Sequence, residues 1–260
     1  MAKTRRKSTK KIAFIPDTQI TPETDTSHIM AAGRYLAEQK PDTIVIAGDW
    51  WDMHSLNTFD KPGAKKWEDM DVQADYDCGN DTMEDFTRLI RKPRGYNPKI
   101  VITLGNHEHR IIRAAESPEG RKYGSSILNY RKLHLEPAGV LVKPFLDIVT
   151  LDGIMFSHYF NNPDSKMTNP IGGSIQNRLW KLGDSFCAGH EQLAIHGQVY
   201  TATGERRCGI VSGRFYQEDL DYLGPQKSKQ SWSGIYILNE VNNGSFDAMP
   251  VSMEYLLDEK

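Results

Sequence analysis

Residues 43–52 read TIVIAGDWWD. Four apolar residues, three of them β-branched, run without alternation and stop on Gly48-Asp49. An apolar run without period two is a strand buried on both faces, and such strands lie in parallel sheets. The same pattern occurs upstream in KIAFIPDTQ (11–19) and downstream in KIVITLGNHEH (99–109). Between the first two runs, SHIMAAGRYLAEQK (27–40) puts Ile29, Ala32, Tyr35 and Leu36 on one helical face, with Thr26 or Ser27 as cap. A second helix is predicted from Val72 to Ile90, which makes the first half βαβαβ. In an open parallel sheet the carboxyl ends of the strands share one edge, where ligands bind. That edge gathers Asp17, Asp49 and Asn106 from distant parts of the chain, as a metal site needs. Gly48 and Gly105, just before two of them, allow close backbone approach.

The second half reads differently. FLDIVTL and IMFSHYF flank Asp152-Gly153, a pair suited to a two-residue type I′ hairpin turn. GGSIQNRLWKLG predicts a short helix, and DSFCAGH returns as a strand. LAIHGQVYTAT and RRCGIVSGR predict a hairpin around Gly204, and WSGIYILNEV with FDAMPVSM supplies the last strands. The fold class expected is α/β: a two-sheet β-sandwich flanked by helices, in one domain over residues 12–260. Residues 55–70, with Pro62, Gly63 and few apolar positions, read as a loop over the site.

Composition narrows the function classes. At 260 residues, 38% hydrophobic and 25% charged, the chain has the balance of an ordinary globular protein with a sizeable core. No apolar run approaches the ~20 residues of a membrane helix. IAFIP after the basic N-terminus is too short for a signal-peptide core, so no membrane partner and a cytoplasmic location are expected. Cys78, Cys187 and Cys208 are widely spaced and odd in number, which supports neither a disulfide framework nor a thiolate zinc site. Residues 1–11 carry six of the 32 basic side chains and no acid, leaving 26 against 34 in the remainder, a balance of −8. Such a run reads as a flexible solvated arm, or as one that touches nucleic-acid phosphates.

Three strands ending on Asp or Asn, then FSHY and AGHEQ ending later ones, form an ordered series. Asp17-Thr18-Gln19, Gly48-Asp49-Trp50-Trp51-Asp52, Gly105-Asn106-His107-Glu108, His158 and Gly189-His190-Glu191-Gln192 together resemble the calcineurin-like metallophosphoesterase family. Its order is DxH, GDxxD, GNH[ED], a lone His and GHxH. The trailing hairpins fit that family's second sheet. The resemblance implies two divalent metal ions bridged by Asp49. Asn106, His158 and His190 would complete one site, and Asp17, Gln19 and Gln192 would surround the other. His107 would donate a proton to the leaving oxygen, Asp52 would hold its imidazole, and the metals would supply the attacking hydroxide. The family places histidines where Gln19 and Gln192 stand. An all-oxygen shell favours Mn²⁺, with Mg²⁺, Zn²⁺ or Fe as alternatives. The rival reading is that this position has lost its ion and the protein works with one metal or none.

For substrate contacts the sequence offers His54, Arg110 as a phosphate-clamping guanidinium, and Trp51 as a ring for base stacking. His28, His134 and His196 read as structural. The phosphoprotein phosphatase branch of the family carries Arg directly after GDxxD, where this chain has Met53. The expected activity is therefore a phosphodiesterase or nuclease acting on nucleic acid or nucleotides. The alternatives are a phosphomonoesterase on nucleotides or small molecules, and a catalytically weak metal-binding interaction module.

Overall fold

The two-sided burial read from the apolar runs is the organising feature of the structure, a computed structural model that describes residues 9–57, 71–118, 124, 126–217 and 231–258. Strands β1 (Lys10–Ile15), β2 (Thr43–Ile46), β3 (Lys99–Thr103) and β4 (Leu141–Lys143) are parallel neighbours in that order. Alternate side chains go to different cores. Ala13, Ile15, Ile44, Ile46, Ile100 and Ile102 pack under helices α1 (Ser27–Gln39) and α2 (Val72–Arg91). Phe14, Val45 and Val101 face the second sheet instead. Each such fully buried side chain is worth roughly 1.5–3 kcal/mol, so neither face tolerates a polar residue.

The second sheet holds β5 (Val149–Leu151), β6 (Ile154–Ser157), β7 (Ser185–Ala188), β8 (Ala194–Tyr200) and β9 (Arg206–Ser212), in the order β5-β6-β7-β9-β8. The β5–β6 turn has φ of 50° at Asp152 and 83° at Gly153, the left-handed pair of a type I′ turn. Phe156, Cys187 and Ile210 close the core between the sheets, with Phe14 and Phe156 ring centroids 5.7 Å apart. On the far face lies α4 (Ile175–Leu182), its Ile175 and Leu179 against Phe186, Ala188 and Val211. The layers run helices, sheet, sheet, helix, as the sequence implied. Two shorter helices, α3 (Arg110–Glu116) and α5 (Met253–Asp258), join the first helical layer. Among the described residues no helix is long and apolar enough to cross a membrane. The three cysteines are free, Cys187 and Cys208 buried and Cys78 half-buried.

Several expectations change. Strands β10 (Gly234–Asn242) and β11 (Ser245–Ser252) do not join the second sheet. They extend the first one, β10 pairing antiparallel with β1 from Phe14↔Tyr236 to Lys10↔Val241. The reason is that β1 has a free edge on that side, and Tyr236 and Leu238 fill the inter-sheet core beside it. Lys10 and Lys11 open β1, with the Lys10 ammonium 2.7 Å from Asp152, so the sheet begins within the basic segment. Residues 1–8 of the expected arm, and 58–70 of the expected loop, lie outside the described residues. His54–Leu56 form a 3₁₀ turn.

Candidate active site

The carboxyl ends of β1, β2 and β3 and of β6 and β7 converge, and each is followed within three residues by a polar side chain. Asp17 and Asp49 are almost wholly buried there. Asp49 sits in the left-handed region (φ 49°), and its Oδ1 accepts the His107 amide at 2.8 Å. A Cβ on Gly105 would lie 2.0 Å from that oxygen, so only glycine allows this approach. Asp17 Oδ1 accepts the His190 amide at 3.0 Å, tying the end of β1 to the turn after β7.

His158 is buried, and burial pushes its pKa down to about 4, so the ring is neutral. Its Nδ1–H donates to the Ala47 carbonyl at 2.8 Å, which leaves a bare lone pair on Nε2. That lone pair faces Asn106 Oδ1 at 2.8 Å and Asp49 Oδ2 at 3.4 Å, and His190 Nδ1 also approaches Asn106 Oδ1 at 2.8 Å. Lone pairs converging in a buried pocket are what a cation resolves. Ligand atoms of Asp49, His158 and His190 all lie within 4.8 Å of one another. A divalent ion fits this donor set.

At Asp17, burial and then the neighbouring Asp49 charge push the carboxyl pKa well up. At Asp49, burial acts the same way, but His107 and His158 outweigh it and hold the carboxyl low. Two carboxylates so placed ionise together most easily beside positive charge. Gln19 is half-buried at φ 46°, its amide N–H donating to the Asp49 carbonyl at 2.8 Å, and Gln192 is half-buried two residues past His190.

His107 Nδ1 is 2.6 Å from Asp52 Oδ1, and its Nε2 is 3.7 Å from Asp49 Oδ2. Burial alone would lower the imidazole pKa; the Asp49 charge and the Asp52 contact outweigh it and hold it above the ordinary value. For Asp52 the balance also opposes burial, and the His107 and His54 contacts hold its carboxyl well below the usual range. His54 stands at this rim, Nδ1 3.6 Å from Asp52 Oδ2.

Two of the expected substrate contacts are corrected. Arg110 is not a free clamp: its Nη1 donates to the Asp52 carbonyl at 2.7 Å, and Nη2 lies 3.1 Å from His107 Nε2. Buried on α3, it braces the Asp52–His107 pair. Trp51 offers no stacking face. Both Trp50 and Trp51 are fully buried against α2, their Nε1–H groups donating to Gly79 O at 3.0 Å and Tyr76 O at 3.4 Å. His196 lies exposed on β8 and packs near Tyr236, away from the pocket. His28, by contrast, is buried as a structural residue, its ring nitrogens 3.0 Å from Asp25 O and 2.9 Å from Phe215 O.

Sequence reasoning missed Glu108. Its carboxylate is fully buried and accepts four backbone amides: Asp49 (3.0 Å), Trp50 (2.7 Å), Trp51 (3.2 Å) and Gly105 (2.7 Å). Burial and the Asp49 charge push its pKa up to about 7, against those four donors, which favour the charged form. It joins the loops after β2 and β3 and so sets Asp49 against Asn106. The only sequence signal was an acid directly after Asn106-His107. Also missed were Phe145 and Tyr159, whose rings join His109 in a series beside the pocket. His109 stacks on Phe145 (4.9 Å, 30°), Phe145 meets Tyr159 at 5.5 Å, and Tyr159 meets His190 at 4.8 Å.

The family model described as calcineurin-like phosphoesterase matches residues 10–222. No curated protein matches the sequence. Among solved structures, one crystal structure is 11% identical with a TM-score of 0.39, covering 94% of this chain and 100% of the other. A crystal structure of TT1561 of Thermus thermophilus is 9% identical with a TM-score of 0.35, covering 94% of this chain and 99% of that one.

Proposed function

The chain belongs to the calcineurin-like phosphoesterase family, whose members are metal-dependent hydrolases, and from that premise we propose that it cleaves phosphodiesters, as a phosphodiesterase or nuclease acting on nucleic acid or nucleotides. The observation that carries the reading is the His107–Asp52 contact of 2.6 Å set beside Asp49, His158 and His190. A scaffold that only bound partners would have no use for a positioned proton donor.

When bound, divalent ions supply Lewis acidity, polarising phosphoryl oxygens and lowering the pKa of water. The chain's own residues do the rest. As a water oxygen that has given up one proton to solvent bonds to phosphorus and the bond to the leaving oxygen breaks, His107 gives its Nε2 proton to that oxygen and is reprotonated from solvent. Asp52 keeps the ring oriented through Nδ1 and stabilises its charged form. Arg110, always charged, takes no proton and holds the Asp52 loop in place. Asp49, Asn106, His158 and His190 would hold one ion, and Asp17, Gln19 and Gln192 would flank a second, for which their oxygen donors would favour Mn²⁺.

The preference for diesters has two supports. A monoester dianion calls for a cationic clamp, but the guanidinium beside the site is engaged at the Asp52 carbonyl, and Met53 is fully buried where a related branch has arginine. The half-exposed rings of His109 and Phe145 offer the stacking face that Trp51 does not, with Phe145 next to His158. The test is paired hydrolysis of bis(nitrophenyl) phosphate and nitrophenyl phosphate across Mg²⁺, Mn²⁺, Zn²⁺ and Ni²⁺. Faster diester cleavage, best with Mn²⁺, is expected. A faster monoester rate overturns the substrate class, and no hydrolysis with any ion leaves the interaction module.

A further inference from the structure

Arg178 and Glu191 form a bidentate pair, Nη1 on Oε1 and Nη2 on Oε2 at 2.9 Å, while Arg178 Nε donates to Gly173 O at 3.0 Å. Every donor-bearing nitrogen of the guanidinium is therefore engaged. The Arg178 side chain is 5% exposed and that of Glu191 32%. Exposed ion pairs contribute little, but a buried fork with its remaining donor on a carbonyl has the rigidity and direction they lack.

The position of Glu191 gives the pair its meaning. It lies between His190, which the metal reading makes a ligand, and Gln192, which that reading sets beside the second ion. The turn carrying them is unusual: His190 has φ 66°, and the Glu191 amide donates back to Gly189 O at 2.8 Å. Its near end is fixed by Gly189 N–H to His158 O (2.9 Å) and by His190 N–H to Asp17 (3.0 Å). Beyond His190 the Glu191 side chain is fixed by Arg178. That residue is a secure anchor, because Ile175 and Leu179 of the same helix are buried against the second sheet.

We propose that the Arg178–Glu191 pair is the positioning element of this metal site: it holds the left-handed turn so that His190 meets Asn106 and Asp49, and ion affinity depends on it. The inference rests on the metal reading above but not on the substrate class. Outer partners that orient a metal ligand typically carry ~10–100-fold of affinity.

The experiment is a calorimetric Mn²⁺ titration of the metal-free full chain, alongside its unfolding temperature. Glu191→Gln keeps the shape and removes the charge; Arg178→Lys keeps the charge and removes the fork. Both should bind Mn²⁺ tenfold or more weakly, with metal-free unfolding within about 3 °C of wild type. In a His190→Ala background, Glu191→Gln should cost no further affinity, because its effect runs through that imidazole. Asp164→Asn, which breaks the exposed pair between Asp164 and Lys181 of the same helix, should change nothing. Affinity within twofold of wild type in both variants overturns the proposal. So does a full additive loss in the His190→Ala background, or a loss that follows a collapse of metal-free stability. A wild type that binds no divalent ion sinks the site reading and this inference together, a result distinct from equal binding by wild type and variants.

Discussion

Replacing Gly79 by alanine tests whether Trp51 belongs to the core or to the cleft. In an exposed helix interior the change would stabilise by about 1 kcal/mol. Gly79 is in α2, where a Cβ would lie 2.0 Å from Trp51 Cδ1 and 2.1 Å from its Nε1. Carbon contacts are best at about 3.5–4.0 Å, so the indole must shift by roughly 1.5 Å or more. Trp51 is fully buried, so the shift must be taken up inside the core. Overpacking of this kind costs about 1–3 kcal/mol or more, and losing the Nε1–H bond to Tyr76 O adds about 1 kcal/mol. Set against the helix gain, the net loss is about 1–3 kcal/mol or more.

Urea unfolding of the metal-free protein, followed by circular dichroism, measures it. Gly33→Ala is the control: its Cβ meets Phe86 Cδ2 at 3.3 Å, a gap that a small shift relieves, so a change within about 1 kcal/mol is expected. Gly79→Ala with wild-type stability or better would refute the packing argument. Trp51→Ala provides a second check, at about 3–5 kcal/mol for a core indole. A Trp51→Ala protein that unfolds like wild type but binds nucleic acid poorly would return the ring to the cleft.

His107→Asn should lower turnover on an ester with a poor leaving group by ~10²–10⁴-fold, with ion content unchanged; a normal rate removes His107 from the mechanism. Deleting residues 1–8, rather than 1–11 because Lys10 and Lys11 belong to β1, should leave nitrophenyl ester hydrolysis intact. Binding to duplex DNA should then lose up to ~0.9 in salt slope per phosphate contact removed, and an unchanged slope makes the segment a solvated tail. Replacing Gln19 and Gln192 together by histidine should shift elemental content from Mn²⁺ toward Zn²⁺ after competition between the two. A wild type already holding two Zn²⁺ per chain refutes the all-oxygen account.

The parallel core was readable because β1, β2 and β3 are buried on both faces, and such strands announce themselves as unbroken apolar runs. β4 gave no such signal. It has three residues at a sheet edge, with Leu141 and Val142 exposed. The β10–β11 hairpin was visible as a hairpin, but its sheet was not. Which edge a strand joins depends on pairing more than two hundred residues away, Phe14 with Tyr236, and no local pattern encodes that partner.

The site divides along the same line. Asp17, Asp49, Asn106, His158 and His190 were legible because each follows an apolar strand, so position along the chain implied position in space. Trp51 was misread because a loop residue's direction is set by its backbone, here the left-handed Asp49 and Met53 on either side of it. Arg110 was misread because a buried cation looks the same in sequence as one open to substrate. Glu108 engages backbone amides, which have no letters of their own. Arg178 meets Glu191 across 13 residues, from a helix whose charged positions otherwise read as a solvated face. Strand ends thus declare the polar groups that converge at the sheet edge, whereas the groups that position them are long-range partners. A chain could keep each motif residue and still lose this arrangement through Arg178 or Glu108.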